Sequence, residues 1–118
     1  MPTSVPDLPT GFQIPENSPS REAIAPKYAQ ISDQIVSIEA NHQNPQPDLG
    51  GLIVIGNESK AGRIALDAAI FAAQQQKGKL NPGAPDAKKS ASYADLRISM
   101  LQTAAFYVDV QEEYKKIL

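Results

Sequence analysis

The chain has no cysteine, no tryptophan and no long apolar run. Without cysteine there is no disulfide, no thiolate nucleophile and no cysteine-based metal site. The first residues have neither the basic nor the apolar region of a signal peptide, and no stretch approaches the ~18 apolar residues that a membrane helix needs. We therefore expect no membrane association, and a location in the cytoplasm or within an assembled particle.

Clustered charge is also missing. The 11 basic and 13 acidic residues give a net charge of −2, and they are spread along the whole chain. Binding to nucleic acid through its phosphates needs a concentrated basic face. The pairs Lys88–Lys89 and Lys115–Lys116 are too short to form one, so we expect protein rather than nucleic acid as the partner.

Proline is frequent but unevenly distributed, since five of the 10 prolines lie in the first nineteen residues. Each proline fixes its φ angle, removes a donor and extends the residue before it. Residues 1–20 are therefore predicted to form an extended arm, followed by a helical domain over residues 21–118. The arm either binds a partner or folds loosely against its own body. Its candidate contact residues are Val5, Leu8, Phe12 and Ile14.

Helical periodicity predicts three helices, over about residues 26–42, 58–77 and 90–118. An earlier start of the first helix, near Ser20, is the alternative. The second contains Ile64–Ala73, which is apolar almost all round and so indicates a central helix buried on several sides. With the third helix it should form an antiparallel hairpin, to which the first adds an amphipathic helix. The predicted fold is therefore all-α. Residues assigned either to the core or to partner contacts are Ile31, Ile35, Ile38, Met100, Tyr107 and Tyr114.

The run Leu52–Ile55 is ambiguous. Four apolar residues between Gly51 and Gly56 fit a short buried strand, which would have to pair with the arm or with another subunit. Alternatively the second helix extends backward through them, although glycine inside a helix costs about 1 kcal/mol relative to alanine. If the helix starts later, Asn57 is the predicted N-cap.

The segment Gly56–Arg63 invites comparison with a phosphate-binding loop. Five residues rather than four separate its glycines, Arg63 stands in place of the lysine, and Ile64 in place of the hydroxyl residue. We therefore expect no nucleotide site. Backbone N–H groups at this helix start could still bind an anion.

The remaining candidates for chemistry favour structural roles. His42 is the only histidine, and it lies where the first predicted helix ends, a position that suits a protonated imidazole. Asp67 lies among apolar residues, one turn after Arg63. We expect it either to form a structural ion pair with Arg63 or to make a polar contact to a partner. No nucleophile stands with a base, and no metal-ligand spacing is present. We therefore predict no catalytic, cofactor-binding or metal-binding residues.

The predicted body of about 70 residues is small, and its apolar surface exceeds what three such helices readily hide. This favours a non-enzymatic structural or assembly protein, an oligomeric subunit of a larger complex that uses its arm and its helix faces for contacts. Small virion or phage components follow this plan, by analogy alone. One alternative is a small regulatory or adaptor protein that binds one partner, and another is a helical carrier of a small apolar ligand.

Overall fold

The computed structural model describes residues 8–9, 11–40 and 49–117. These residues form helices and no strand, which confirms the predicted all-α class, but the helices number four rather than three. They are α1 (Arg21–Ala40), α2 (Leu49–Glu58), α3 (Lys60–Gly78) and α4 (Ala87–Ile117).

The central element is α3, which packs against each of the other three helices. Most of its buried side chains are alanines, and alanine combines a high helix propensity with a small volume. Small side chains let neighbouring helices approach closely from several directions. The prediction of a central helix buried on more than one side is therefore confirmed. The buried residues of its middle part are Ala65, Leu66, Ala68, Ala69 and Ala73.

The run Leu52–Ile55 lies within α2, so it is helical and is not the short strand that the sequence left open. Leu52 is fully buried. The surroundings of Gly56 explain why this helix contains glycine. A Cβ atom at Gly56 would lie 2.5 Å from Leu66 Cδ1 and 2.8 Å from Val108 Cγ2. Close packing of α2 against α3 and α4 is therefore possible only because residue 56 has no side chain. The packing outweighs the cost of placing glycine in a helix.

A single residue, Ser59, separates α2 from α3. Its backbone is extended, and its hydroxyl accepts a hydrogen bond from the Gly62 amide at 3.2 Å, so Ser59 rather than Asn57 is the N-cap of α3. The corner is tight, because a Cβ atom at Gly62 would lie 2.0 Å from the Ile55 carbonyl oxygen. Gly62 therefore sets the close approach of the two helices.

The first helix begins at Arg21, which agrees with the alternative start near Ser20 rather than with a start near residue 26, and it contains Pro26. The first turn of this helix is stabilised by backbone hydrogen bonds and by a buried side chain. The Ser20 carbonyl accepts hydrogen bonds from the Ala23 and Ile24 amides at 3.0 Å each, and Ile24 is completely buried. Tertiary packing therefore supports a turn that precedes a proline.

The described part of the proline-rich segment lies against the helical body. Leu8 is buried, and Phe12 and Ile14 pack against the same core. The rings of Phe12 and Phe71 are 5.9 Å apart, a favourable distance for an aromatic pair. Val5 falls outside the described residues, so an extended arm over the whole of residues 1–20 stays a prediction.

Candidate functional site

The C-terminal half of α4 carries apolar side chains on two opposite sides. One side packs into the core between α2 and α3, where Leu101 and Val108 are almost fully buried. Ala104 and Ala105 lie beside them and are also buried. Residues at these spacings share one side of a helix, so this side belongs to the fold.

The opposite side faces solvent. Phe106, Tyr107, Tyr114 and Ile117 are 63%, 48%, 62% and 79% exposed, and Val110 lies between them, partly buried. We call these five residues the outer face of α4. From Tyr107 onward, Val110, Tyr114 and Ile117 follow at steps of three, four and three residues, the spacing of a contact seam between helices.

The outer face extends beyond the first residue of α3, at the open end of the α3–α4 hairpin. Arg63 lies opposite Asp109, and Gln76 lies opposite Arg97, so the two helices are antiparallel. Carried to the start of α3, this register places Lys60 level with about residue 112. The last turn of α4 therefore projects beyond α3, and its side chains have no neighbour there from α3.

An ion-pair cluster fixes α4 beside the outer face. The Arg63 guanidinium donates through Nε to Asp109 Oδ1 at 2.9 Å and through Nη2 to Asp109 Oδ2 at 3.0 Å. Its Nη1 donates to Asp67 Oδ1 at 2.6 Å. The predicted pair between Arg63 and Asp67 is confirmed. The second carboxylate, Asp109, was not predicted, because nothing in the sequence indicates which residue of a distant helix lies opposite Arg63.

The cluster shifts the pKa values of Arg63 and Asp109. The hydrogen bonds to Asp109 raise the pKa of Arg63, and those to Asp67 add to this, while burial acts in the opposite sense. The same bonds from Arg63 hold the pKa of Asp109 below its ordinary value. Both groups are therefore charged near neutral pH, and the cluster serves to position α4 rather than to exchange protons.

A second polar contact lies two residues further along α4, where Asn57 of α2 donates to the side-chain oxygen of Gln111. At the other end of the hairpin, Lys77 and Asp95 form an ion pair at 2.5 Å. Because these contacts lie on the sides and the inner surface of α4, they leave the outer face uncovered.

Two open clefts differ in chemistry. A groove of about 240 Å³ on the outer face is almost wholly apolar, with Asp109 and Glu113 at its edge. A cleft of about 430 Å³ at the tip of the hairpin has a mixed lining that includes Lys89 and Arg97. Arg97 donates to Gln76 within this cleft at 2.5 Å. The first groove suits an apolar protein surface, and the second is a surface depression of mixed character.

The structure divides the residues that the sequence assigned to core or partner contacts. Ile31, Ile35 and Met100 are buried core residues, whereas Tyr107 and Tyr114 lie on the outer face. Ile38 lies in α1, and its side chain falls outside the described part. The sequence-based site omitted three members of the outer face, although their spacing from the two tyrosines was a usable signal. They are Phe106, Val110 and Ile117.

The segment compared with a phosphate-binding loop forms the α2–α3 corner. Its Gly62 amide donates to Ser59, and its Arg63 is held by two carboxylates. His42 lies outside the described residues. Within the described residues, no group of three or more histidine or acidic side chains is placed to bind a metal ion.

None of the described helices combines the length and the apolar character needed to cross a bilayer. Comparisons with protein-family models, with curated proteins and with solved structures found no match to this chain.

Proposed function

We propose that this chain is a non-enzymatic assembly protein, a subunit of a larger protein complex, and that the outer face of α4 is its main contact surface. The observation that carries the proposal is the exposure of Phe106, Tyr114 and Ile117 on one side of a projecting helix. Exposed apolar residues occur singly on most proteins, whereas a contiguous group on one element is typical of an interaction site.

The residue types support the same role. Aromatic residues are enriched at the centres of protein interfaces, where they bury large areas with few rotatable bonds. Phe106 and Tyr107 already pack edge to face, with ring centroids 6.1 Å apart, which restricts their motion before any partner binds. A surface ordered in this way loses less side-chain entropy on association.

The contact surface that we propose lies on α4 rather than on the proline-rich segment. In the described part of that segment, Leu8, Phe12 and Ile14 pack on the chain's own core. By analogy, the larger complex could be one built from many small subunits, such as a virion or phage particle.

The experiment compares the native size of the wild-type chain and two variants in extracts of cells that make the protein naturally. Tyr114→Lys places a charge on the outer face, and Val36→Lys is the matched control, since Val36 is 65% exposed on α1. We expect the wild type and the control to elute in a high-mass complex and Tyr114→Lys to elute at the monomer mass. Elution of the wild type at the monomer mass would contradict the proposal.

A regulatory adaptor that binds one partner would use the same surface, and it is the second candidate. Tyr107 is about half exposed, and Asp109 and Glu113 line the groove. These polar groups also suit a polar-rimmed contact with a different protein. Native mass spectrometry of the purified complex separates the two: an adaptor gives one copy of each chain, and an assembly subunit gives several copies of this one.

A further inference from the structure

We infer that the cleft at the tip of the α3–α4 hairpin binds a small organic anion, namely a carboxylate with an apolar body. The cleft lies at the opposite end of α4 from the outer face, so this inference goes beyond the proposed function and does not depend on it. The cleft volume of about 430 Å³ lies within the range of about 300–1,000 Å³ that is usual for small-molecule sites. The local charge, the order of side chains along α4 and the position of an arginine favour an anionic ligand.

The hairpin brings together basic residues that come from the end of α3, the start of α4 and the loop between them. Residues 77–97 carry five basic and two acidic side chains, which gives this stretch a net charge of +3 in a chain whose net charge is −2. The basic residues are Lys77, Lys79, Lys88, Lys89 and Arg97, and the acidic residues are Asp86 and Asp95. Anions are therefore attracted to this end of the molecule.

The charged side chains that line the cleft itself are positive. Lys89 and Arg97 both line it, and none of its described lining residues is acidic. The nearby Asp95 does not line the cleft and forms an ion pair with Lys77 at 2.5 Å. Lys89 is exposed and has no ion-pair partner among the described residues. Its ammonium group can therefore donate directly to a bound carboxylate.

Three lining side chains at intervals of four residues form a row along α4. They are Lys89, Tyr93 and Arg97, and this spacing places them on one side of the helix. The ring of Tyr93, which is 38% exposed, therefore lies between two positive charges. Leu80 and Ala94 are partly buried and add apolar surface to the same cleft. A ligand with a carboxylate at one end and an apolar body at the other matches both kinds of surface.

A contact between the two helices of the hairpin positions Arg97 before any ligand binds. Arg97 Nη1 donates to Gln76 Oε1 at 2.5 Å, and both residues line the cleft. Arg97 is partly buried, and a partly buried charge is screened less by salt than an exposed one. We therefore assign the direct contact with the carboxylate to Lys89, and to Arg97 an electrostatic attraction from the wall of the cleft.

The first test is a titration of the full chain, labelled with ¹⁵N, with benzoate at constant ionic strength, followed by amide chemical shifts. Benzamide has the same shape without the charge, and acetate has the charge without the ring. For a ligand of about nine non-hydrogen atoms we expect a dissociation constant of about 1–10 mM, with the shifts concentrated in residues 89–97. Benzamide and acetate should bind at least about threefold more weakly. No saturable shift up to about 50 mM benzoate, or equal binding of benzamide, would overturn the inference.

The second test asks whether Lys89 itself binds the carboxylate. Lys89→Gln should weaken benzoate binding at least about threefold, because it removes a charge-assisted hydrogen bond. Lys88→Gln is the matched control, since it changes the net charge equally at a residue that does not line the cleft, and it should change binding by less than about 1.5-fold. Equal weakening by the two variants would indicate attraction by net charge alone and overturn the inference. Neither result bears on the proposed function, whose test concerns the outer face of α4.

Discussion

The two sides of α4 are both apolar, yet only one belongs to the core. The inner side is built from Leu101, Ala104, Ala105 and Val108, whose small or branched side chains fit between α2 and α3. The outer side carries larger residues, and Phe106 is 63% exposed. The difference teaches that volume, as well as polarity, decides which side of a helix packs inward, because a core must be filled without voids or overlap.

The difference between the two sides of α4 is tested most directly by truncating one side chain on each side to alanine. Leu101→Ala should lower the free energy of unfolding by about 2–5 kcal/mol, because it removes a fully buried side chain and leaves a cavity. Phe106→Ala, which removes a larger side chain from the outer side, should change it by less than about 0.5 kcal/mol. Urea denaturation at low protein concentration measures both. Equal losses for the two variants would show that the outer side is part of the core.

The next largest effect on stability is expected at the corner between α2 and α3, which positions α2 against the inner side of α4. Gly62→Ala should destabilise the fold by about 1–3 kcal/mol, because the new Cβ overlaps the Ile55 backbone, which cannot rotate away as a side chain can. Gly78→Ala is the matched control, since nothing lies within 4 Å of its Cβ position. Thermal unfolding followed by circular dichroism compares the two. A Gly62→Ala variant as stable as the control would show that the corner can relax.

A smaller effect on stability is expected at the ion-pair cluster that joins α3 to α4. The folded pKa of Asp109 lies below its unfolded value of about 3.9. Its stabilising contribution is therefore complete above about pH 5, and it is lost as the pH falls through the folded pKa. Asp109→Asn should lower stability by no more than about 1 kcal/mol at neutral pH, because the side chain is largely solvated.

Unfolding measured from about pH 7 to about pH 2.5 checks this. The difference between the wild type and Asp109→Asn should stay constant down to about pH 5 and shrink below it. A difference that grows as the pH falls would contradict the sign of the assigned shift. Asp86→Asn provides a control on the same chain, since Asp86 is an exposed carboxylate just before α4.

The smallest stability effect is expected for a charge on the outer side. Tyr114→Lys should leave the free energy of unfolding within about 0.5 kcal/mol of the wild type when measured at low protein concentration, where any association is negligible. At high protein concentration the wild type should become more stable than the variant, because association stabilises only the folded chain. Melting temperatures at two protein concentrations measure this difference. Stability independent of concentration in the wild type would argue against self-association.

Much of the architecture was predictable because it depends on local periodicity. The apolar character of Ile64–Ala73 predicted a central helix, and the turn-rich residues that follow α3 predicted a hairpin. The ion pair of Arg63 with Asp67 was predictable for the same reason, since residues four apart on a helix are neighbours. Ser59 as the cap was missed because Asn57 is an equally good capping residue in sequence terms.

The helix over Leu49–Glu58 could not be predicted in the same way. Its glycines lower its intrinsic helix propensity, and only the approach of Leu66 and Val108 to Gly56 shows why they are tolerated. Of the five residues of the outer face of α4, the sequence-based site contained two. Tyr107 and Tyr114 were assigned to core or partner contacts together with Met100, which is in fact buried.

By itself the sequence determined that the described chain is helical and where most of its helices lie, because these depend on propensity and on spacing within one segment. Only the tertiary structure decided which apolar side of α4 is covered, which carboxylate across the hairpin binds Arg63, and why Gly56 and Gly62 are needed. Those outcomes depend on the register between helices that are far apart in the chain, and register is set by how their side chains fit together in space.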